Sequence, residues 1–461
     1  MRTRIALKSC VALIFGFTQK NPSRPTIHFI LLIVWATLAA SHAFCQVPEN
    51  PPIPEGLGVN IHFTQPQPGE LQMIKDAGFR WVRIDVNWFW TERKPGVYDF
   101  SAYDGLIQAL DQQRLRAMLI LCYSNPFYDH GLSPYTDAGQ GAFMRWAVAA
   151  IHHFRGHGIL WEIYNEPNYA RFWRPEVNVQ DYIRLALRVG EAVVENDPGE
   201  MMVGPASALI DLPFLAACFQ AGLLNYWSAV TVHPYRQRDP ETVWAEYYAV
   251  RWLIAKYAPA GKKIPIIPSE WGYSSRWKWD GMNQQMQARL LAREFLTDID
   301  DGIPLTFWYD WPNDDGDPNN TEGHFGLVNT VKSPHGPIRL QPKLSYYAAK
   351  ALYDALDGFT FERRLPVGQK EDYVLVFRKG DQTRLTAWTI AAKPHAIEIQ
   401  GAKGKFTVED MLGKKLKPLR AHGRRLTLTV SDDPVYLVPL NRQGLSASPP
   451  ARERSDQTSP N

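Results

Sequence analysis

The chain has 461 residues, of which 45% are hydrophobic and 21% are charged, and this balance excludes a disordered or collagen-like protein. The formal net charge is +3, but the first 43 residues carry five basic side chains and no acidic one. Without them, 45 basic residues face 47 acidic residues, and the net charge becomes −2. Such a chain lacks the basic field that binding to a phosphate backbone requires, so we expect no nucleic-acid partner.

The first 43 residues have the organisation of a signal peptide. Basic residues precede an apolar run at 29–40, and Ser41-His42-Ala43 then gives the small-x-small pattern of a cleavage site. The run is shorter than the roughly 20 residues of a membrane-spanning helix. We therefore predict a signal peptide at 1–43 and a secreted or periplasmic protein. The alternative is an uncleaved leader that anchors the chain, which would be its only association with a membrane.

The cysteines predict neither a disulfide framework nor a zinc site. Of the four, Cys10 lies in the leader, which leaves an odd number for the rest of the chain. Cys122 ends an apolar run and Cys218 lies in an alanine-rich helical stretch. Both are therefore expected to be buried as small apolar side chains.

From Gly58 onward, short apolar runs alternate with amphipathic segments, which is the pattern of a parallel sheet covered by helices. Eight strands are predicted, at 59–63, 81–86, 117–122, 160–164, 201–204, 229–232, 264–268 and 305–308. Eight strand-helix units over about 300 residues predict a (β/α)8 TIM barrel. We place this barrel at residues 55–356.

After Leu356 the pattern changes to alternating strands separated by turn residues such as Gly380-Asp381. Strands are predicted at 373–377, 384–388, 425–430 and 435–438. We predict a small β-sandwich at 357–440, whose role the sequence leaves open. The tail at 441–461 has almost no apolar residues to bury, and we expect it to be disordered.

Two glutamates directly follow predicted strands of the barrel. Glu166 follows strand four and Glu270 follows strand seven. Active sites of such barrels lie at the C-terminal ends of the strands, which face one central cavity. Paired carboxylates are what glycoside hydrolysis requires. Arg83, on strand two, would keep a nucleophile ionised, and that negative charge would help its partner retain a proton.

Several motifs occur in one order along the barrel: Asn-Glu-Pro-Asn at 165–168, Phe-Trp-Arg-Pro at 172–175, Thr-Val-His-Pro-Tyr at 231–235 and Glu-Trp-Gly at 270–272. The stretch from Arg83-Ile84-Asp85 to residues 96–100 also fits this set. Together they resemble the retaining glycoside hydrolases of clan A, and within it family 39 and related bacterial exopolysaccharide endoglycosidases. One tripeptide alone would be a weak signal, whereas several in the right order are specific.

This resemblance implies roles for individual side chains. Glu166 would be the acid/base, Glu270 the nucleophile and Asn165 a hydrogen-bond partner of the sugar 2-OH, with Arg83, His233 and Tyr235 around Glu270. A retaining enzyme would hold its two carboxyl groups about 5 to 5.5 Å apart. Two local departures, Tyr164 where relatives often carry tryptophan and the unassigned His62, leave the subsite preference open.

Three tryptophans at or beyond strand ends, Trp173, Trp271 and Trp308, are candidates for stacking on sugar rings, and packing in the core is the alternative. We expect no metal and no organic cofactor. The acidic loop at 313–318 carries Pro318 where an EF-hand loop needs glycine, and we expect it to line the substrate. Histidines at 152, 153 and 157 lie at a helix end that faces away from the strand tops.

The predicted function is hydrolysis of O-glycosidic bonds by double displacement, with endo action on an extracellular polysaccharide or exopolysaccharide. One alternative is an exo-acting β-glycosidase resembling a xylosidase, which would use the same catalytic residues. Others are a transglycosylase and a non-catalytic polysaccharide-binding component of exopolysaccharide export. The sugar, its linkage and the oligomeric state are left open.

Overall fold

The computed structural model describes residues 48–279, 281–333, 336–440 and 445, which belong to one compact unit. The predicted leader and the remainder of the predicted tail lie outside these residues. Within the described ranges, none of the helices has the length and apolar character that a membrane crossing requires.

The main sheet is a parallel barrel of eight strands, and this confirms the predicted fold. The strands are β1 Leu57–Asn60, β2 Trp81–Asn87, β3 Arg116–Cys122, β4 Leu160–Ile163, β5 Met201–Ala208, β6 Trp227–His233, β7 Ile266–Pro268 and β8 Thr306–Trp308. They pair in the order β7-β6-β5-β4-β3-β2-β1-β8. A parallel bridge between Trp271 and Trp308 joins the two edge strands and closes the barrel. Each predicted strand overlaps an observed one.

Helices cover the outside of the barrel between successive strands. They are α1 Glu70–Asp76, α2 Trp88–Thr91, α3 Ser101–Gln113, α4 Asp137–His153, α5 Val179–Asn196, α6 Leu212–Gln220, α7 Trp244–Tyr257, α8 Gln284–Asp300 and α9 Leu344–Leu356. Side-chain caps begin several of them, such as Thr136 before α4 and Asn178 before α5. The apolar faces of the helices pack on the strands and form the main core.

The barrel interior is apolar at its lower end, where the strands begin, and charged at its upper end, where they finish. The lower layer is an apolar cluster of Trp81, Met118, Leu160, Met201, Val203, Ala229, Ile267, Leu305 and Phe307. Side chains two residues apart on a strand point to the same side. Arg83 and Asp85 therefore lie above Trp81, and Glu162 lies above Leu160. Charged groups thus occupy the C-terminal end of the barrel.

The C-terminal part forms two antiparallel sheets around a second apolar core, as predicted. Six strands form the larger sheet: β11 Thr360–Arg364, β12 Asp372–Lys379, β13 Gln382–Thr389, β15 Lys405–Asp410, β16 Leu419–Arg420 and β18 Val435–Pro439. The smaller sheet contains β14 His395–Gln400 and β17 Arg425–Val430. Leu445, which falls in the predicted disordered tail, pairs with Ala402 and is buried in this core, so that prediction is wrong for this residue.

A hairpin of β9 Val328–Ser333 and β10 Gly336–Pro342 lies in the connection from β8 to α9, and the sequence patterns did not predict it. The buried environment predicted for Cys122 and Cys218 is confirmed, since both are free cysteines with no exposed surface.

Candidate active site

The ends of β2, β4, β6 and β7 bring six of the predicted residues into one cluster: Arg83, Asn165, Glu166, His233, Tyr235 and Glu270. A carboxylate oxygen of Glu166, a carboxylate oxygen of Glu270 and a ring nitrogen of His233 all lie within 4.8 Å of one another. The two carboxylates therefore face each other across a narrow gap, as their positions after β4 and β7 predicted.

Arg83 is the centre of this cluster. Its Nη1 donates to Glu270 Oε2 at 2.8 Å, and its Nε donates to Glu162 Oε2 at 2.7 Å. Nη1 also donates to Asn60 Oδ1 at 2.8 Å, and Nη2 donates to Asn165 Oδ1 at 3.0 Å. Because its planar group offers five donors in a fixed geometry, one buried side chain on β2 fixes groups from β1, β4 and β7.

The ring of His233 lies between the guanidinium of Arg83 and the carboxylate of Glu166. Nε2 is 3.2 Å from Arg83 Nη2, and Nδ1 is 2.9 Å from Glu166 Oε1. A guanidinium can only donate, so Nε2 accepts and the ring proton is on Nδ1, from which it is donated to Glu166. The same Nδ1 is 3.9 Å from Glu270 Oε2, so one ring contacts both carboxylates.

Glu270 is held in its ionised form. Burial alone would raise its pKa, but the Nδ1–H group of His233 that faces it and the positive charge of Arg83, together with hydrogen bonds from Tyr235 and Arg83, bring the pKa below its ordinary value. Tyr235 Oη donates to Glu270 Oε1 at 2.9 Å, so each carboxylate oxygen has its own donor. The Glu270 side chain is 16% exposed and Glu166 is 12% exposed, which leaves both accessible from the cavity.

The backbone around Glu166 adopts a conformation that non-glycine residues rarely take. Tyr164 has φ 68° and Glu166 has φ 45°, at a cost of about 1–3 kcal/mol for each residue. The surroundings offset this cost: Glu166 N–H donates to Ala206 O at 3.0 Å, and Tyr164 Oη donates to Ser133 Oγ at 3.0 Å. The strained turn aims the Glu166 carboxylate at the centre of the barrel.

The structure corrects the prediction for the three tryptophans. Trp173, Trp271 and Trp308 are 0% exposed, and burial leaves no surface of their rings for a sugar. Trp173 packs edge-on against Tyr164 at 4.9 Å and so supports the strained turn. Trp308 Nε1 donates to Phe325 O at 3.2 Å. These rings position the strand ends from within the core.

The Glu-Trp-Gly motif after β7 has a steric explanation. Trp271 exchanges backbone hydrogen bonds with the end of β8, through Trp271 N to Phe307 O at 3.1 Å and Tyr309 N to Trp271 O at 2.6 Å. A Cβ atom at Gly272 would lie 2.1 Å from Tyr309 O. Glycine is therefore required where the two strand ends meet beside Glu270.

A cavity of about 190 Å³ opens above Glu270. Besides predicted site residues, its walls contain groups to which the sequence assigned no role, namely Asn60, His62, Asp85, Tyr123, Phe172 and Tyr309. Glu162, which pairs with Arg83, was missed as well. One signal was available: Asp85 and Glu162 are charged residues at inward-facing positions of buried strands, where apolar side chains are the rule.

Among the residues that the structure describes, two groups of side chains place potential metal ligands close together. In one, Glu166, His233 and Glu270, the Arg83 guanidinium lies 2.8 Å from Glu270 and would repel a cation. In the other, His62, Asp310 and Asp314, burial opposes the charged imidazole, but Asp310, 3.3 Å away, raises the pKa of His62 to about 9. A protonated imidazole is a poor metal ligand. The expectation that the protein holds no metal stays a prediction. The histidines at 152, 153 and 157 instead pair with aspartates at 197, 104 and 111.

The fold and the paired carboxylates are those of a glycoside hydrolase, and comparison with solved structures agrees. A family 39 glycoside hydrolase from the gut symbiont Bacteroides cellulosilyticus WH2 is 25% identical, with a TM-score of 0.71 over 84% of this chain and 81% of that one. The predicted resemblance to family 39 is confirmed by this similarity. Neither a protein-family model nor a curated protein matches the chain.

More distant structures share the fold. A family 39 β-xylosidase from Caulobacter crescentus is 19% identical, with a TM-score of 0.59 over 86% of this chain and 99% of that one. A family 30 endoxylanase from Clostridium papyrosolvens C71 is 10% identical, with a TM-score of 0.58 over 87% of this chain and 99% of that one.

Proposed function

We propose that this protein hydrolyses O-glycosidic bonds with retention of anomeric configuration, using Glu270 as nucleophile and Glu166 as acid/base. The observation that carries the proposal is the close approach of these two carboxylates, whose oxygens lie within 4.8 Å of each other. Inverting enzymes need a separation of about 6.5–9.5 Å for a water molecule, and retaining enzymes about 5–5.5 Å. The contacts of Glu270 support its role, because a nucleophile must be ionised.

In the first step, Glu270 attacks the anomeric carbon while Glu166 donates a proton to the leaving oxygen, and the glycosidic bond breaks as the glycosyl-enzyme ester forms. In the second step, Glu166 takes a proton from water, whose oxygen attacks the same carbon and releases Glu270. The Nδ1 proton of His233 stabilises the ionised form of Glu166 that exists between the two steps. Asn165, whose Oδ1 accepts from Arg83, presents its amide NH2 to the sugar 2-OH.

We further propose endo action on a polysaccharide outside the cytoplasm. Exposed aromatic rings in the segments after β2, β3 and β4 support this action, since Trp90 is 64%, Phe127 44% and Tyr169 50% exposed. Aromatic faces bind sugar rings, and a series of them suits a chain longer than one residue. The leader pattern of the sequence supports secretion or transport to the periplasm.

Exo action is the second candidate, because one structure with this fold is described as a β-xylosidase and another as an endoxylanase. The test is reducing-end release by the full chain from β-glucans, xylans, mannans and bacterial exopolysaccharides, with Glu270→Gln as the control. A rapid fall in polymer size supports endo action, whereas release of single sugars supports exo action.

Retention is tested by proton NMR of the first product formed. The proposal expects the anomer with the configuration of the substrate, and an inverted first product would overturn it. Activity in Glu270→Gln equal to that of the wild type would remove the nucleophile assignment. If neither protein hydrolyses any polymer but both bind one, the non-catalytic role in exopolysaccharide export replaces this proposal.

A further inference from the structure

A second and larger cavity lies beside the candidate active site. Its volume is about 1020 Å³, at the upper end of the range of about 300–1000 Å³ for ligand pockets. The segment after β7 and the connection from β8 to α9 form its walls, with Arg276, Trp277, Asn313, Asp314, Asn329 and Thr330 among the lining residues. We call it the β8-side cavity.

A thin wall of side chains separates the β8-side cavity from the cavity above Glu270. Tyr309 lines the smaller cavity, and its ring is 5.4 Å from the Phe325 ring, which is 5.2 Å from the ring of Trp277 in the larger cavity. Asp314 lines the larger cavity, and its carboxylate lies within 4.8 Å of a ring nitrogen of His62, which lines the smaller one. A sugar chain that extended from the smaller cavity over His62 and Tyr309 would therefore reach the larger cavity.

The position of this cavity relative to the two carboxylates identifies the part of the substrate that would occupy it. Glu166, which protonates the leaving group in the proposed reaction, follows β4, and β4 is four strands away from β8 on the closed barrel. The leaving group therefore extends toward β4. Sugar units on the other side of the cleaved bond extend toward β8, where the larger cavity lies.

The lining has the chemistry of a site for hydroxyl-rich rings. Trp277 is partly exposed and lines the cavity, so part of its indole is accessible to a sugar ring. Two carboxamides are pre-ordered, since Asn313 Nδ2 donates to Asn329 Oδ1 at 3.0 Å and Lys343 Nζ donates to Asn313 Oδ1 at 3.0 Å. Among the lining side chains, Arg276 is accompanied by two aspartates, Asp314 and Asp315, and this excess of negative charge favours uncharged sugars over anionic ones.

We propose that the β8-side cavity binds uncharged sugar units on the non-reducing side of the cleaved bond, from the second unit outward. This inference rests on the proposed function, and it adds that one side of the substrate must be an oligosaccharide. A protein of this design hydrolyses longer substrates more efficiently because binding energy from remote units contributes to the reaction.

The test uses 4-nitrophenyl glycosides that carry one to four units of the sugar in the hydrolysed polymer. For the wild type, kcat/KM is expected to rise with each unit added up to three. Trp277→Ala removes the stacking face and Thr330→Trp fills the cavity from an exposed position, so the second variant preserves the test if the first does not fold. Each should reduce the gain from added units about tenfold, mainly through KM.

Trp252→Ala is the matched control, because Trp252 is 58% exposed on α7 and does not line the cavity. It should leave the dependence on length as in the wild type. Equal length dependence in the wild type and both cavity variants would overturn the inference while leaving hydrolysis intact. If the wild type hydrolyses no polymer of the panel, the proposed reaction fails instead. Calorimetric binding of tetrasaccharides from these polymers to wild-type and Thr330→Trp protein then still tests the cavity.

Discussion

Two buried arginines in this protein, Arg83 and Arg293, have similar surroundings, but one lies in the candidate active site and the other between the barrel and the β-sandwich. Arg83 and Arg293 are each 2% exposed, and each donates to a buried glutamate through its Nε. Burial opposes the charged form of both, but attraction to Glu162 and Glu270 raises the pKa of Arg83, and attraction to Glu241 and Asp239 raises that of Arg293. Neither guanidinium loses its charge in the folded protein.

The difference lies in what the acidic partners face. Glu241 is 1% exposed and accepts two hydrogen bonds from Arg293, at 2.8 and 2.6 Å, and another from Trp388 Nε1 at 2.6 Å. This closed cluster joins the barrel to the β-sandwich, because Trp388 belongs to β13. Glu270 is 16% exposed to a cavity and has a second glutamate opposite. Asp239, the other partner of Arg293, is also exposed, at 40%, so exposure of one partner does not by itself distinguish the two clusters. A buried charge is a functional signal when its accessible partner faces a second carboxylate at a cavity, as Glu270 does.

The largest effect is expected for Glu270→Gln in the open cluster. The amide keeps the size of the side chain but is a poor nucleophile, so kcat on the polymer should fall at least about 10⁴-fold. Initial rates measure this fall in kcat, and the thermal midpoint shows whether the variant is folded. A variant that is inactive because it is unfolded would not support the assignment, and retained activity would exclude it.

Glu166→Ala should have a large effect that depends on the leaving group. General acid catalysis contributes about 10²–10⁴-fold, so hydrolysis of natural linkages should slow by that factor. Aryl glycosides with activated leaving groups need no protonation and should lose far less in the first step. Glu191→Ala, an exposed change on α5, is the control. Equal losses on both substrate types would contradict the acid assignment.

Glu241→Gln is the same chemical change as Glu270→Gln, made in the closed cluster. Removing the charge of Glu241 leaves the buried Arg293 with only the exposed Asp239 as an ionic partner, so the free energy of unfolding should fall by about 3 kcal/mol. The specific activity of the folded protein should stay the same. Denaturant unfolding measures the first expectation. Lys350→Ala, which breaks an exposed pair with Asp354, should stay within about 0.5 kcal/mol.

Much of the fold and part of the site could be predicted from sequence because they depend on local patterns. Apolar runs of strand length located all eight barrel strands, and the rule that function lies after the strands identified Glu166 and Glu270. Arg83 was predicted because an ionised nucleophile needs a nearby cation, whereas His233 and Tyr235 came from the family resemblance. The structure places all three beside Glu270. These inferences need only the order of elements along the chain.

The rest depended on how distant strands face each other. Glu162 and Asn60 contact Arg83 because of the register of β1, β2 and β4, which no local pattern contains. The tryptophans were misjudged for a related reason: a position after a strand does not say whether a ring faces the cavity or the core. The β8-side cavity depends on the β9–β10 hairpin within a long connection, whose strands the sequence did not reveal.

The smallest predicted effect concerns the pH dependence of the open cluster. The pKa of Glu270 is lowered in part by the hydrogen bond from Tyr235, so Tyr235→Phe should raise that pKa. The nucleophile is active when ionised, and the acidic limb of kcat/KM reports its ionisation in the free enzyme. In the wild type this limb should lie below the ordinary pKa of a glutamate, and in the variant it should move to higher pH.

Loss of this hydrogen bond to a charged group should also reduce kcat/KM about tenfold at neutral pH. Tyr247→Phe is the matched control, because its hydroxyl donates to a buried carboxylate, Asp298, at 3.0 Å in a cluster away from the cavity. That variant should leave the acidic limb in place. Since a lowered pKa stabilises the fold above the ordinary pKa and ceases to do so as the pH falls through the lowered value, Tyr235→Phe should also reduce stability at neutral pH. A limb that moves equally in both variants would show that the Tyr235 hydrogen bond does not hold Glu270 in its ionised form.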